Sequence, residues 1–215
     1  MMESNWPMIL GLHFEVFLMI VSGVFYLLCA LLLWKPFRRE RNELVSALFA
    51  FLVYQAISMF FMGVEMHTHN MIYGNIATLA VFIGSVYMLR FVFSPFSKVT
   101  RKVLFLLCML AVLAIFLWYV QTPERNMQLM HFTLWYDIII NGIVVGGSII
   151  LMGLRATGLL KLKAFGGGTG VVSCCVVANG AMLTGAILTS SVFQFLAPLF
   201  ILSTLMFARK GQSNS

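Results

Sequence analysis

Between Met130 and Asn141 the chain reads Met-His-Phe-Thr-Leu-Trp-Tyr-Asp-Ile-Ile-Ile-Asn, an apolar run that carries an imidazole, a carboxyl and an amide. Asp137 follows His131 by six residues, about 9 Å along a helix axis, so the carboxyl is carried below a membrane surface. Asn141 stands one turn further on, on the same face. A carboxylate inside an apolar span costs roughly 2.5 to 3.5 kcal/mol on insertion scales. Such a group is expected to face a bundle interior and to find partners or water there.

Other polar side chains recur at helical spacing inside apolar runs: Glu15, Met19, Ser22 and Tyr26; Tyr54, Ser58 and Met62; Ser191 and Gln194. One stripe per helix predicts a shared inward surface. Glu15, Tyr54, Gln55, Ser58, Asp137, Asn141 and Asn179 are therefore candidates for a ligand-binding pocket opening outward. Taken singly, Gln55, Asn75, Asn179 and Gln194 equally suit hydrogen bonding between helices.

A second group lies in Met59-Phe-Phe-Met-Gly-Val-Glu-Met-His-Thr-His-Asn-Met71, where imidazoles, thioethers and a carboxyl share a short turn. Imidazole with thioether favours copper and imidazole with carboxylate suits zinc, so His67 and His69, joined by His13, His131 or Glu65, form a candidate metal site. The alternative is that these are solvated residues at an interface. Met130-His131-Phe132-Thr133 resembles the Met-His-Tyr-Thr motif of the bacterial MHYT sensory domains. That resemblance implies metal binding at the outer membrane face and the sensing of a diatomic gas. It covers four residues, and Leu134-Trp135 stands where those domains have Gly-Met.

Several chemistries are disfavoured. All six lysines fall in segments outside the apolar runs, so none is placed to form a retinal Schiff base. A metal-dependent membrane hydrolase could use Asp137 and histidines to hold zinc and its water. Yet no His pair is spaced i, i+4 on one helix and no nucleophile motif occurs. Gly166-Gly-Gly-Thr-Gly170 lacks the Gly-Lys-Ser/Thr ending of a phosphate loop and follows no strand, so it reads as close packing or a helix irregularity.

The elements that position these groups follow from composition. Over 215 residues, 61% are hydrophobic and 10% charged, with a mean hydropathy of +0.97, which places the chain in a lipid bilayer. Apolar runs at about 8–34, 44–63, 70–93, 103–120, 130–154, 164–188 and 190–207 each approach the length that spans a hydrocarbon core. The fold expected is all-α, a seven-transmembrane-helix bundle forming one integral membrane domain over 1–215. Strand alternation is absent, which excludes a barrel. The acidic start Met1-Met2-Glu3 and the long first run give no expectation of a cleavable signal.

The net charge of +7 does not form a patch suited to nucleic acid. Thirteen of the fourteen basic residues fall in the links 35–43, 94–102 and 155–163, at Arg90 or in the tail, and Arg125 alone sits opposite. That split puts the N-terminus outside and the C-terminus in the cytoplasm of a plasma (cell inner) membrane protein. Trp6, Trp118 and Tyr119 then fall at the outer interface and Trp34 at the inner one. Cys29, Cys108, Cys174 and Cys175 all lie in predicted spans and read as small apolar packers.

His13-Phe14 ahead of Ser22-Gly23 echoes His131-Phe132 ahead of Asn141-Gly142, consistent with two parallel three-helix units joined by helix 4. The expected function is receptor-like or sensory binding of a small ligand or metal from outside, with signalling through a cytoplasmic or membrane partner. A small-solute transporter, the hydrolase above and a structural membrane subunit are the alternatives. Pro198 is the only proline deep in a run, so few helix breaks are expected.

Overall fold

The computed structural model describes residues 8–9, 11–40, 43–94, 96–120 and 123–213. It is 91% helical. Seven stretches are long and apolar enough to cross a membrane: Phe14–Lys35, Val45–Thr68, Met71–Val92, Lys98–Tyr119, Met127–Arg155, Ala164–Leu183 and Ile187–Thr204.

A two-stranded hairpin, β1 (Met8–Ile9) against β2 (Leu12–His13), precedes the first helix. Gly11 adopts φ +78 in its turn, a left-handed conformation that glycine takes without a Cβ penalty. The first helix, α1, therefore runs over Phe14–Glu40 rather than starting at residue 8 as expected. α2 (Glu43–Thr68), α3 (Met71–Val92) and α4 (Lys98–Tyr119) supply the next three candidate spans, each called a crossing below for its length and apolar composition.

The fifth crossing is composite: α5 (Pro123–Tyr136), a π-helical segment Asp137–Gly146 and α6 (Gly147–Arg155). The sixth repeats the pattern with α7 (Gly158–Val172), a π segment Ser173–Ala178 and α8 (Asn179–Leu183), and α9 (Ile187–Ser213) is the seventh.

Turn chemistry sets the reversals. His69, at φ 54, ends α2 by donating its backbone N–H to the Glu65 carbonyl at 2.7 Å. Asn70 then caps α3 by accepting from the Ile72 N–H at 3.0 Å. The His-Thr-His stretch is thus a tight helix-to-helix turn. The sixth crossing stops at Leu183, not 188, because Gly185 (φ +77) closes a Schellman motif. In it the Ala186 N–H bonds the Ala181 carbonyl at 2.9 Å and the Gly185 N–H bonds Met182 at 3.1 Å.

Short turns make successive crossings antiparallel neighbours. α1 packs on α2 and α2 on α3; α7 packs on α6 and α9, α9 returns to α1, and the first π segment meets α3. α4 packs against α3 and α5 from outside this ring. Only 6% of its span is buried, against 39–50% for the other six, so it is a peripheral helix. Trp118 on α4 and Trp34 on α1 are both exposed, whereas Trp6 lies outside the described residues.

In lipid, helices associate through close van der Waals packing rather than through a hydrophobic drive, and the glycines show where contact is tightest. A Cβ on Gly142 would collide with Val176, one on Gly168 would come within 2.6 Å of Ile150, and one on Gly170 within 2.5 Å of Ile201. Gly166 lies as closely against Thr204. The glycine run thus packs the sixth crossing onto the fifth and seventh.

Lys35 and Arg38 on α1, Arg90 on α3, Lys98, Arg101 and Lys102 on α4, Arg155 on α6 and Lys161 on α7 gather at one end of the bundle. His13, His67, His69 and His131 lie toward the other end.

Candidate functional site

Asp137 begins the first π segment, ten residues past Met127 and so about 15 Å along the crossing. It is 3% exposed. Asn141, in the same segment, donates its side-chain N–H to one carboxyl oxygen, and Asn179, just past the second π segment, donates to the other at 2.6 Å. The Cys175 thiol lies against the same carboxyl. The two π segments pack on each other, and that contact brings residues 42 positions apart onto one carboxyl.

From this centre the hydrogen bonds continue through the bundle. Asn141 also donates to Ser85 Oγ on α3 at 2.5 Å, and Ser85 in turn bonds the Val81 carbonyl. On the other side Gln194 on α9 donates to Asn179 Oδ1 at 3.5 Å. Cys174 Sγ donates to Gln194 Oε1 at 3.0 Å and accepts from Gln55 Nε2 on α2 at 3.7 Å. The α2, α3 and α9 crossings and both composite ones are therefore tied to one carboxyl.

The direction of these bonds is informative. The amides of Asn141 and Asn179 both present N–H to Asp137, and Gln194 polarises Asn179 in the same sense. Both carboxyl oxygens act as acceptors, an arrangement that an ionised carboxylate can satisfy. Hydrogen bonds to a charged group contribute roughly 1.5 to 3 kcal/mol each. Two of them offset an insertion cost of about 2.5 to 3.5 kcal/mol. Among the described residues no lysine or arginine pairs with Asp137, so an ionised carboxyl here has no protein countercharge.

Beside the carboxyl lies a cavity of about 40 Å³, room for on the order of three waters. Asp137, Asn179, Gln55, Ser58, Ser190 and Gln194 are among its polar walls, and Met19, Met59, Met62, Met130 and Met182 supply much of the apolar lining. All of these residues except Gln55, which sits at mid-span, lie in the half of their span away from the basic end. Gln55 Oε1, Ser58 Oγ and Asn141 Oδ1 are buried and have no hydrogen-bond partner. A buried polar atom left unpaired costs free energy; of these three residues Gln55 and Ser58 line the cavity and Asn141 does not.

The structure thus brings together Gln55, Ser58, Asp137, Asn141 and Asn179 of the residues singled out in the sequence. Tyr54 is turned away and stacks on Tyr87 at 5.9 Å between ring centroids. Glu15 is buried at the start of α1 but does not line the cavity. His13, His67, His69 and His131 are exposed. Among the described residues no three His, Cys, Asp or Glu side chains gather as a metal would require. The Glu65 carboxyl packs against Gly74.

Sequence reasoning missed Ser85 and gave Cys174 and Cys175 only a packing role. Their small polar groups join the network through contacts 56 and 20 residues away, which no local spacing reveals. The methionine lining was partly visible, since Met19 and Met62 fall on the polar stripes of their helices.

No protein-family model, curated protein or solved structure matches this chain. The likeness to MHYT domains is therefore confined to residues 130–133.

Proposed function

We propose that this is a receptor-like plasma membrane protein that binds a small monovalent cation, a metal ion or a compact ammonium group, in the cavity beside Asp137. The supporting observation is a buried carboxylate held by two amides, next to the unpartnered oxygens of Gln55 and Ser58. A cation there would meet one full negative charge together with neutral amide and hydroxyl oxygens. A single carboxylate suits a monovalent ion, because divalent calcium and magnesium sites draw on several carboxylates or phosphates. Methionine side chains are unbranched and adaptable, so the lining can shift for a ligand larger than the cavity as it stands.

The basic end is assigned to the cytoplasm by the positive-inside rule, which gives the cavity access from the outer side. Occupancy would be passed along the glycine-packed contact of the fifth, sixth and seventh crossings to the basic links, where a partner protein docks. Differential affinity for two arrangements of that contact is what would make binding a signal.

A second reading, a small-solute carrier, is favoured by one observation. α1–α3 and the fifth to seventh crossings form two successive triples that meet at two seams, with α4 outside. This suits two parallel three-helix units able to rock about a site near mid-membrane.

The test is thermal unfolding of the purified full chain in sodium, potassium, methylammonium or choline chloride at equal ionic strength. At least one of the three small cations is expected to raise Tm over choline by roughly 5 °C near saturation, and Asp137→Asn to abolish that difference. Equal Tm in all four salts, or an unchanged difference in Asp137→Asn, would refute the proposal. Uptake of the stabilising cation into proteoliposomes would select the carrier.

A further inference from the structure

A larger cavity than the one beside Asp137 lies at the other end of the bundle and is independent of it. Where α3 ends and α4 begins, a pocket of about 400 Å³ is lined by Arg90, Phe93, Lys98, Arg101, Lys102 and Phe105. The spacing explains the convergence. Lys98, Arg101, Lys102 and Phe105 lie three and four residues apart and share one face of α4. Arg90 and Phe93, three apart at the end of α3, close the other wall. The Arg90 guanidinium sits over the Phe105 ring, 5.4 Å from its centroid, a cation–π contact that fixes its charge at the pocket wall.

Positive charge is concentrated along this wall. Like charges at i, i+3 and i, i+4 destabilise a helix, and Lys98 stands in both relations, to Arg101 and to Lys102. All three occupy the start of α4, where the partial positive charge of a helix N-terminus disfavours cations and attracts anions. The stretch 90–105 contains no Asp or Glu. An anion in the pocket turns each of these repulsions into an attraction.

Size and surroundings narrow its class. A volume of about 400 Å³ lies in the range of small-molecule sites and is generous for an inorganic ion. On the flank beside the pocket, Val103, Leu106, Leu110, Leu113 and Leu117 are exposed at alternating intervals of three and four, an apolar strip running the length of the most peripheral crossing. Phosphate-sized charge at one end and an apolar track along the helix match a phospholipid. Basic pockets between transmembrane helices are a recurrent way to hold anionic headgroups.

We propose that this pocket binds the phosphodiester headgroup of an anionic phospholipid, with its acyl chains lying along the exposed strip of α4. The experiment uses the full chain purified in detergent and follows Tm against three probes: dioctanoyl phosphatidylglycerol, dioctanoyl phosphatidylcholine and inorganic pyrophosphate. Phosphatidylglycerol alone is expected to stabilise the protein. The double substitution Arg101→Gln with Lys102→Gln should weaken its apparent affinity at least tenfold, while Lys161→Gln, at the same end but outside the pocket, leaves it unchanged.

Should the double variant fail to fold, Lys102→Gln alone, at an exposed position, is expected to weaken it several-fold. An equal response to phosphatidylcholine, or an affinity unaltered in the pocket variants, would overturn the proposal. An equal response to pyrophosphate would assign the pocket to a soluble phosphate and overturn the lipid.

Discussion

Both oxygens of the Asp137 carboxyl accept amide hydrogens, whereas the Ser58 hydroxyl a short distance across the same cavity bonds nothing. That contrast separates a structural role from a binding one. A residue that serves only to hold helices together loses hydrogen bonds when truncated, at about 1 kcal/mol for a neutral pair and more when a partner is left unsatisfied. Ser58 has none to lose. Ser58→Ala is therefore expected to leave unfolding stability in choline chloride within about 0.5 kcal/mol of the parent, or to raise it. In the stabilising cation it should bind roughly tenfold more weakly. A large loss of stability without the cation would make Ser58 a structural residue.

The heart of this site was legible in the sequence, because Asp137 and Asn141 are polar residues four apart in an otherwise apolar run. The rest of the network was not. Ser85, Cys174 and Cys175 resemble ordinary small packers until the fold sets them beside an amide or a carboxyl.

The two π segments are the elements that build the site. The first begins at Asp137, which bears the carboxyl, and the second ends at Ala178, one residue before Asn179, which donates to it; π-helical insertions occur often at functional sites. Pro198, the only proline deep in an apolar run, lies within the continuous helix α9, whereas the interruptions fall in the fifth and sixth crossings, where few breaks were expected. Proline advertises itself by its missing N–H, but an i→i+5 winding is settled by what the helix packs against. Glycine was the only local hint.

Its packing role is testable within one crossing. A Cβ at Gly142 would collide with Val176, whereas one at Gly147 meets nothing within 4 Å. Gly142→Ala is expected to lower stability by roughly 1 to 3 kcal/mol through overpacking. Gly147→Ala should be neutral or stabilising by up to about 1 kcal/mol from the helix propensity of alanine. Thermal unfolding of the two variants side by side checks this, and equal losses would show that the close approach of the fifth and sixth crossings does not matter.

At the scale of the whole molecule, a cavity beside a buried carboxyl and a pocket lined by basic residues stand toward opposite ends of one bundle. The cavity at Asp137 lies among oxygens and thioethers in one half, and the pocket of Arg90, Lys98, Arg101 and Lys102 closes the other end. The sequence announced this polarity plainly, because basic residues are distributed by span and are read without knowing the fold. It set the fourth helix apart as well, as the link between two three-helix units. It could not reveal that the histidines stay on the surface. A His-x-His pair in a tight turn looks the same whether its rings converge on a metal or point into solvent.

The central claim is that a negatively charged cavity in the bundle is reached from the side opposite the basic links. The most direct measurement is the rate at which an impermeant, positively charged methanethiosulfonate modifies Ser58→Cys in intact cells, compared with an uncharged reagent of similar size and with the unsubstituted chain. The expected result is modification from outside, at least tenfold faster with the cationic reagent, with that preference lost when Asp137→Asn is added. Modification only after permeabilisation, or equal rates for the two reagents with Asp137 in place, would contradict it.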